Sequence, residues 1–222
     1  GIPAHLFGRK AFPMVTDFAE AVPVGESSGT LISGLKRTLT VLREYSSLRL
    51  KSATVLNSNA SSLPLPDNLC AIYFSDPPYY DSVPYADLSD FFYVWLRRSI
   101  GDIFPDLFQG VLTEKNAEAT VNHPNSEEEK LRYVEMLTNS WAEALRVLRP
   151  DGIAVIIFAH KSTAGWEALL ESILSAGWCI TASWPIDTEM KSRMNAKNTA
   201  SLSSSVHLVC RPRENLDGSL RT

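Results

Sequence analysis

Cysteine is scarce in this chain of 222 residues, and no two cysteines form a Cys-x-x-Cys pair. The three that occur, Cys70, Cys179 and Cys210, each lie within an apolar run, which is typical of buried free thiols in a reducing compartment. The four histidines are scattered without the spacing of metal ligands. The sequence therefore predicts no disulfide framework and no metal site.

Long hydrophobic runs and an excess of basic residues are also missing. The longest purely apolar stretch, residues 153–159, is far too short to cross a bilayer, and no basic segment precedes a hydrophobic core at the N-terminus. We therefore expect a cytoplasmic protein without a membrane span. The formal net charge of −4 argues against a self-sufficient DNA binder, because Lys and Arg normally supply much of that affinity.

Enough apolar sequence is present for a substantial core. Apolar residues make up 45% of the chain and charged residues 21%, which fits one large globular domain or a domain with a long insertion. Proline and glycine at short intervals predict an N-terminal arm at residues 1–29, and residues 214–222 form a tail. The main domain covers residues 30–213, within which the polar, aperiodic residues 102–125 predict an insertion or lid.

Strands and helices alternate through the middle of the chain. Apolar residues at helical spacing, a capping pair such as Ser126 with Glu129, and stops such as Gly177 mark the helices. The alternation is typical of an α/β fold with a mostly parallel sheet, in which helices cover the strand at 153–158 on both faces. The pattern predicts helices at residues 30–45, 88–100, 126–148 and 163–176, strands at residues 53–56, 69–75, 153–158, 178–184 and 205–210, and a turn at residues 149–152.

The strand at 69–75 runs directly into Asp76, Pro77, Pro78 and Tyr79. Proline fixes φ, lacks an N–H group and pushes the preceding residue into extended geometry, so this turn is stiff and poor in donors. What remains are acceptors, namely the Asp76 carboxylate and the carbonyls of Asp76 and Pro77, with a flat ring beside them. Because ligands of α/β sheets bind outside the carboxyl ends of the strands, the turn is a candidate active site.

This turn suits the exocyclic amine of a nucleobase, a weak nucleophile whose lone pair is delocalised into the ring. A carboxylate and a rigid carbonyl can accept both N–H bonds, and their negative dipoles stabilise the positive charge that develops as a methyl group arrives. Tyr79 is then expected to stack on a base extruded from its helix. Asp76 need not be a strong base, because the neutral amine already has its lone pair and loses its proton after transfer.

Asp-Pro-Pro-Tyr after an apolar strand resembles the catalytic motif of S-adenosylmethionine-dependent amino-methyltransferases that act on adenine N6 or cytosine N4. Residues 80–97, Trp184-Pro185 with Arg193 after it, and residues 203–211 resemble a group of prokaryotic adenine-specific DNA methylases. The likeness covers residues 12–213. It implies a Rossmann-like class I methyltransferase sheet, S-adenosylmethionine as cofactor, DNA as partner, and catalytic roles for the four motif residues Asp76, Pro77, Pro78 and Tyr79.

The resemblance also implies binding roles outside the motif. Asn59, after the strand at 53–56, is expected to contact the cofactor adenine together with Asp76, although a plain turn explains Asn59 equally well. Tyr80 and Tyr85 are candidates for the base pocket, with a role in the core as the alternative. Lys191 and Arg193 are candidates for phosphate contacts, with a solvated loop as the alternative. His160-Lys161 is a candidate for another wall of the pocket.

One part of the expected cofactor site is missing. Methyltransferases of this class bind the methionine part of the cofactor with a glycine loop, often Phe-x-Gly-x-Gly, after their first strand. Gly25, Gly29 and Gly34 have the wrong spacing and follow no apolar strand. We therefore hypothesise an incomplete sheet, with the first strands and the glycine loop supplied by an upstream segment of a longer polypeptide or by a second subunit.

The sequence thus predicts an enzyme that transfers methyl from S-adenosylmethionine to adenine N6 in DNA. Cytosine N4 is the main alternative, because both bases present an NH₂ group on a six-membered aromatic ring. Guanine N2 in RNA is a further substrate alternative. A rival of another class is a non-catalytic module that lacks its cofactor loop and binds nucleic acid or a partner protein.

Overall fold

The computed structural model describes residues 24–25, 30–48, 51–186, 205–214 and 217–220. The chain forms two compact units, Gly1–Leu56 and Asn57–Thr222. In the described part of the first unit, helix α1 (Leu31–Ser47) begins after Thr30, whose hydroxyl accepts a hydrogen bond from the Ser33 N–H at 3.3 Å. This helix confirms the prediction for residues 30–45.

The predicted strand at residues 53–56 is wrong. Residues 51–59 are exposed and have no regular secondary structure. A run of only four residues has no strand beside it to form a hydrogen-bonded ladder, and an isolated strand is not stable in water. Most of the predicted arm at residues 1–29 lies outside the described residues.

A mixed four-stranded sheet organises the unit Asn57–Thr222. Its strands are β1 (Cys70–Ser75), β2 (Leu148–Phe158), β3 (Trp178–Ile186) and β4 (Ser205–Pro212), in the spatial order β1-β2-β4-β3. β1 pairs with β2 in parallel, whereas β4 pairs antiparallel with both β2 and β3. The α/β class is confirmed, and the expectation of a mostly parallel sheet is wrong. The alternation of strands and helices correctly indicates that β1, β2 and β3 run in one direction, but it does not reveal that β4 inserts between two of them in reverse.

Three helices and a short 3₁₀ turn complete the described part of this unit. Helix α3 (Glu127–Val147) begins after Ser126, whose Oγ accepts a hydrogen bond from the Glu129 N–H at 3.3 Å, as the capping pattern predicts. The Glu129 carboxylate instead accepts from the N–H groups of Asn122 and His123, at 2.6 and 2.8 Å. The elements are α2 (Tyr85–Ile100), the 3₁₀ turn Pro105–Leu107, α3 (Glu127–Val147) and α4 (Thr163–Ser175).

The core lies between one face of the sheet and the helices α3 and α4. Two indole groups are satisfied inside it: Trp141 Nε1 donates to Ser172 Oγ at 3.0 Å, and Trp178 Nε1 donates to the Trp141 carbonyl at 3.0 Å. Alternate residues of β2 face this core. The cluster includes Tyr133, Leu137, Trp141, Leu148, Ala154, Ile156, Phe158, Leu169, Ile173, Trp178, Leu208 and Cys210.

The other face of the sheet is largely uncovered in the described residues. On β1, which is an edge strand, Ile72 is 67% exposed and Phe74 is 61% exposed. Along β2, buried residues alternate with half-buried ones, so the expected cover on both faces of 153–158 is not seen there. The residues of the predicted turn at 149–152 belong to β2. The register between β1 and β2 shifts there, because Cys70 pairs with Leu148 while Ile72 pairs with Ile153.

Within the described part of the chain, no helix combines the length and hydropathy required to span a bilayer. The same residues hold no group of three His, Cys, Asp or Glu side chains placed to bind a metal ion.

Candidate active site

The predicted motif forms the turn that leaves the carboxyl end of β1. Asp76 is exposed, Pro77 is buried, and Pro78 and Tyr79 are half-buried. Among the described residues, neither the Asp76 carboxylate nor the Pro77 carbonyl oxygen has a hydrogen-bond partner. The turn therefore carries two acceptors whose hydrogen-bonding capacity is unused within the described residues.

These acceptors lie on the wall of a cavity. Its volume is about 470 Å³, and its lining residues are Asp76, Pro77, Pro78, Tyr85 and Glu118. That volume falls in the range of about 300–1,000 Å³ that is usual for small-molecule sites. Two carboxylates and two prolines give the wall many acceptors and few donors.

The turn is fixed from behind by α3. Tyr133, which is fully buried, donates its hydroxyl hydrogen to the Pro78 carbonyl at 2.9 Å. The Tyr80 N–H lies 3.1 Å from the same carbonyl and 3.3 Å from the Tyr133 hydroxyl oxygen. Tyr80 has φ of 54°, a left-handed conformation that is uncommon for a residue with a side chain. Its carbonyl accepts from the Val121 N–H at 3.2 Å, so bonds from two directions hold the strained residue.

The three tyrosines predicted for the site lie in different environments. The Tyr79 ring makes an edge-to-face contact with Phe158, with ring centroids 5.3 Å apart, and it is not part of the cavity lining. Tyr80 is only 2% exposed, and its ring contacts those of Tyr133 and His160. Tyr80 is therefore a core residue, which was the alternative to a place in the base pocket. It contributes to the turn through its backbone. Tyr85 lines the cavity.

His160 connects the end of β2 to the residue after Tyr80. Its Nε2 lies 2.7 Å from Asp81 Oδ1, and the Ser162 N–H donates to its Nδ1 at 3.1 Å. Because a backbone N–H is always a donor, Nδ1 is the acceptor, and the ring proton lies on Nε2, where it is donated to Asp81. A Cβ atom at Gly165 would lie 2.3 Å from Nδ1, so the imidazole fills the space that the glycine leaves. This arrangement holds the motif turn against the start of α4.

The segment at residues 113–118 shapes the other side of the cavity. Both Glu118 carboxylate oxygens lie 3.2 Å from the Ala86 N–H at the start of α2, where the helix dipole favours negative charge. Thr113 Oγ1 donates to the Ala86 carbonyl at 2.7 Å. Glu118 therefore satisfies a free N–H group of the helix and faces the cavity with the same carboxylate.

A second group of bonds attaches this segment to the middle of α2. The Asp90 carboxylate accepts from the Thr113 N–H at 2.9 Å and forms an ion pair with Lys115. Its Oδ1 also lies 2.6 Å from the Thr113 hydroxyl oxygen, whose single hydrogen is shared between this carboxylate and the Ala86 carbonyl. The Lys115 ammonium, followed by the Thr113 hydroxyl, lowers the pKa of Asp90 to about 2. The Arg132 guanidinium donates to the Glu118 carbonyl at 3.1 Å. Part of the predicted lid is thus tied to two helices.

Tyr85 lines the same cavity as the carboxylates of Asp76 and Glu118. Burial first, and then the negative charges of Asp76 and Glu118, raise the pKa of its hydroxyl. The group therefore keeps its proton across the neutral range and can act as a donor. Among the described residues its hydroxyl has no hydrogen-bond partner.

Among the remaining predicted site residues, Asn59 is described and does not line the cavity. The Asn59 side-chain oxygen accepts from the Ser61 N–H at 3.0 Å and the Ser61 hydroxyl at 2.9 Å, which is a local turn. Lys191 and Arg193 lie outside the described residues. Sequence reasoning missed Glu118 and Tyr133, because Glu118 lies in an aperiodic stretch and Tyr133 has the spacing of an ordinary core residue on α3.

No protein-family model matches this sequence, and no curated protein matches it either. Among solved structures, one described as a "Putative DNA Modification Methylase from Thermus thermophilus" is similar at 14% identity over 74% of this chain and 54% of that chain, with a TM-score of 0.40. Its selenomethionine derivative gives 12% identity over 72% and 50% of the two chains and a TM-score of 0.36. The 4+2 cyclase SpnF gives 16% identity over 81% of this chain and 62% of its own, with a TM-score of 0.38. The chain thus spans about half the length of the first two proteins.

Proposed function

We propose that this chain is the catalytic part of an S-adenosylmethionine-dependent methyltransferase that acts on adenine N6 in DNA. The observation that carries the proposal is the open acceptor pair at the carboxyl end of β1. Asp76 and Pro77 line a cavity of about 470 Å³, and the Asp76 carboxylate and the Pro77 carbonyl have no hydrogen-bond partner among the described residues. An acceptor pair without a donor suits an NH₂ group better than any other polar part of a base.

In this proposal the chain's residues hold and polarise the amine. Asp76 and the Pro77 carbonyl accept its two N–H bonds and turn the nitrogen lone pair toward the methyl donor. Their fixed negative charge and dipole stabilise the nitrogen as it becomes positive, which is the largest contribution that such a site can make. Tyr79 remains the proposed stacking residue for the flipped base, although its ring contacts Phe158 and is not part of the cavity lining. The extra proton leaves the nitrogen after transfer, through Asp76 or water.

The residues present fit the amine and do not fit the cofactor. When bound, the cofactor supplies an electrophilic methyl group on a sulfonium. Asn59, the residue expected to contact it, uses its side-chain oxygen on Ser61, and the sequence has no glycine loop. The cofactor site is therefore assigned to an upstream segment or a second subunit.

The edge of the sheet supports the proposal of a missing half. Among the described strands, β1 lies at the edge of the sheet, beside the candidate site. Two of its apolar side chains are largely exposed, Ile72 at 67% and Phe74 at 61%. An open, apolar edge strand is a liability that proteins normally cover. Further strands would pair with the open edge of β1, and a helix connected to them would cover the face that carries Ile72 and Phe74 and would bring a cofactor loop next to Asp76. Lys191 and Arg193 remain proposed phosphate contacts.

Labelled methyl incorporation into DNA tests the function. The chain is assayed alone and together with its upstream region or partner, and the DNA is then digested to nucleosides. We expect label in N6-methyladenine, and we expect Asp76→Ala to abolish it without unfolding the protein. Asp102→Asn, which changes an exposed carboxylate outside the cavity, is the matched control.

The same experiment separates the alternatives. Label in N4-methylcytosine, or in guanine of an RNA substrate, would change the assigned base and keep the chemistry. No incorporation with any added half would favour a non-catalytic binding module. Calorimetry addresses the missing half directly: micromolar binding of S-adenosylmethionine by this chain alone would contradict it.

A further inference from the structure

The cavity wall has an uneven supply of hydrogen-bonding groups. When they are ionised, the carboxylates of Asp76 and Glu118 can accept hydrogen bonds but cannot donate them, and Pro77 and Pro78 have no N–H group. The hydroxyl of Tyr85 is thus the single side-chain donor among the described residues that line the cavity. A ligand that presents an acceptor to this wall has one side chain from which to accept a hydrogen bond.

The position of Tyr85 is fixed by its neighbour in the chain. Tyr85 is the first residue of α2, and the next residue, Ala86, is bound through both of its backbone groups. Its N–H donates to Glu118 at 3.2 Å, and its carbonyl accepts from Thr113 Oγ1 at 2.7 Å. The first turn of α2 is therefore held in place while the Tyr85 side chain, which is 45% exposed, stays accessible to a ligand.

The chemistry of an aminated base requires such a donor. In adenine the N6 amino group adjoins N1, a ring nitrogen with an exposed lone pair. When Asp76 and the Pro77 carbonyl accept the two N–H bonds, N1 faces the same wall. A carboxylate there would repel the lone pair, so a protonated hydroxyl is needed beside it.

We propose that Tyr85 is a specificity-determining residue, whose hydroxyl donates a hydrogen bond to the unprotonated ring nitrogen next to the methylated amine. This inference rests on the proposed function. It defines the substrate class as bases whose amino group adjoins an unprotonated ring nitrogen on the base-pairing edge, namely N1 of adenine or N3 of cytosine. In a duplex that nitrogen is used in base pairing, so the contact forms only with a flipped base.

The experiment compares two proteins on two DNA substrates. The full chain with its cofactor-binding half, and the same protein with Tyr85→Phe, methylate DNA that carries adenine or 1-deazaadenine at the target position. 1-Deazaadenine keeps the amine and replaces N1 by C–H. On adenine we expect Tyr85→Phe to lower kcat/KM about 10-fold, the size of one hydrogen bond. On 1-deazaadenine we expect the two proteins to have equal kcat/KM.

The control variant lies on the same helix. The Tyr93 hydroxyl donates to the Gly110 carbonyl at 3.0 Å and lies outside the cavity, so Tyr93→Phe should give the same ratio to wild type on both substrates. An equal loss for Tyr85→Phe on both substrates, with an active wild type, would overturn the role of Tyr85 alone. A wild type that methylates neither substrate would overturn the proposed function, and the role of Tyr85 with it.

Discussion

The hydroxyl of Tyr133 on α3 donates a 2.9 Å hydrogen bond to the carbonyl of Pro78, two residues after the proposed catalytic carboxylate. Tyr133 is fully buried, and burial raises the pKa of its hydroxyl, which therefore stays protonated as a donor. A core side chain thus sets the path of the turn that presents Asp76.

Tyr133→Phe should destabilise the fold and misplace the turn. The substitution removes one of the two donors to the Pro78 carbonyl, and the loss of a typical hydrogen bond costs about 0.5–1.5 kcal/mol. We expect a lower urea midpoint and a loss of methyl transfer larger than the loss of stability explains. Tyr93→Phe, which removes an exposed hydrogen bond, should leave the urea midpoint nearly unchanged. Full activity of Tyr133→Phe would contradict the role of this bond in placing Asp76.

Two substitutions of Glu118 separate its bond to the helix from its charge. Glu118→Gln keeps an oxygen that accepts from the Ala86 N–H, whereas Glu118→Ala removes the acceptor and should cost about 1 kcal/mol, as the loss of a helix N-terminal acceptor does. We expect urea unfolding to show little change for Glu118→Gln. If the charge also stabilises the positive amine, Glu118→Gln lowers kcat more than it changes KM. Equal stability of both variants would mean that the Ala86 contact contributes nothing.

The ion pair between Asp90 and Lys115 should make the free energy of unfolding depend on pH in acid. The pKa of Asp90 is lowered from 3.8 to about 2 by Lys115 and then Thr113, so the folded protein binds its proton less tightly than the unfolded chain. The stability from this pair is therefore complete above about pH 4 and is lost as the pH falls through 2. The free energy of unfolding of wild type minus that of Asp90→Asn should shrink over this window. A difference that persists at pH 2 would exclude the ion pair as its cause.

Cys210 should be unreactive in the folded protein. Its side chain is fully buried, and burial raises the pKa of its thiol to about 12, so almost no thiolate exists at pH 8. Mass spectrometry after iodoacetamide treatment at pH 8 should find Cys210 unmodified in buffer and alkylated in denaturant. Cys179, which is half-buried, is the internal comparison. Rapid alkylation of Cys210 in native buffer would show that this part of the core opens readily.

The elements that sequence patterns predicted correctly depend on local chemistry. Ser126 and Glu129 marked the start of α3 because a serine hydroxyl just before a helix can accept from the N–H three residues later. Gly177 marked the end of α4 because its φ of +89° is strained for any residue with a Cβ. The strand at 53–56 failed because four apolar residues carry no information about a neighbouring strand.

The sequence by itself determined the stiff, acceptor-rich turn, because two prolines restrict the backbone and remove donors whatever surrounds them. It also determined that a strand leads into this turn. Tertiary structure alone decided which residues meet there. Glu118 and Tyr85 reach the same cavity, and Tyr133 reaches Pro78, through packing between elements that lie up to 55 residues apart. The direction of β4 was decided in the same way, since pairing between strands depends on contacts that no local pattern records.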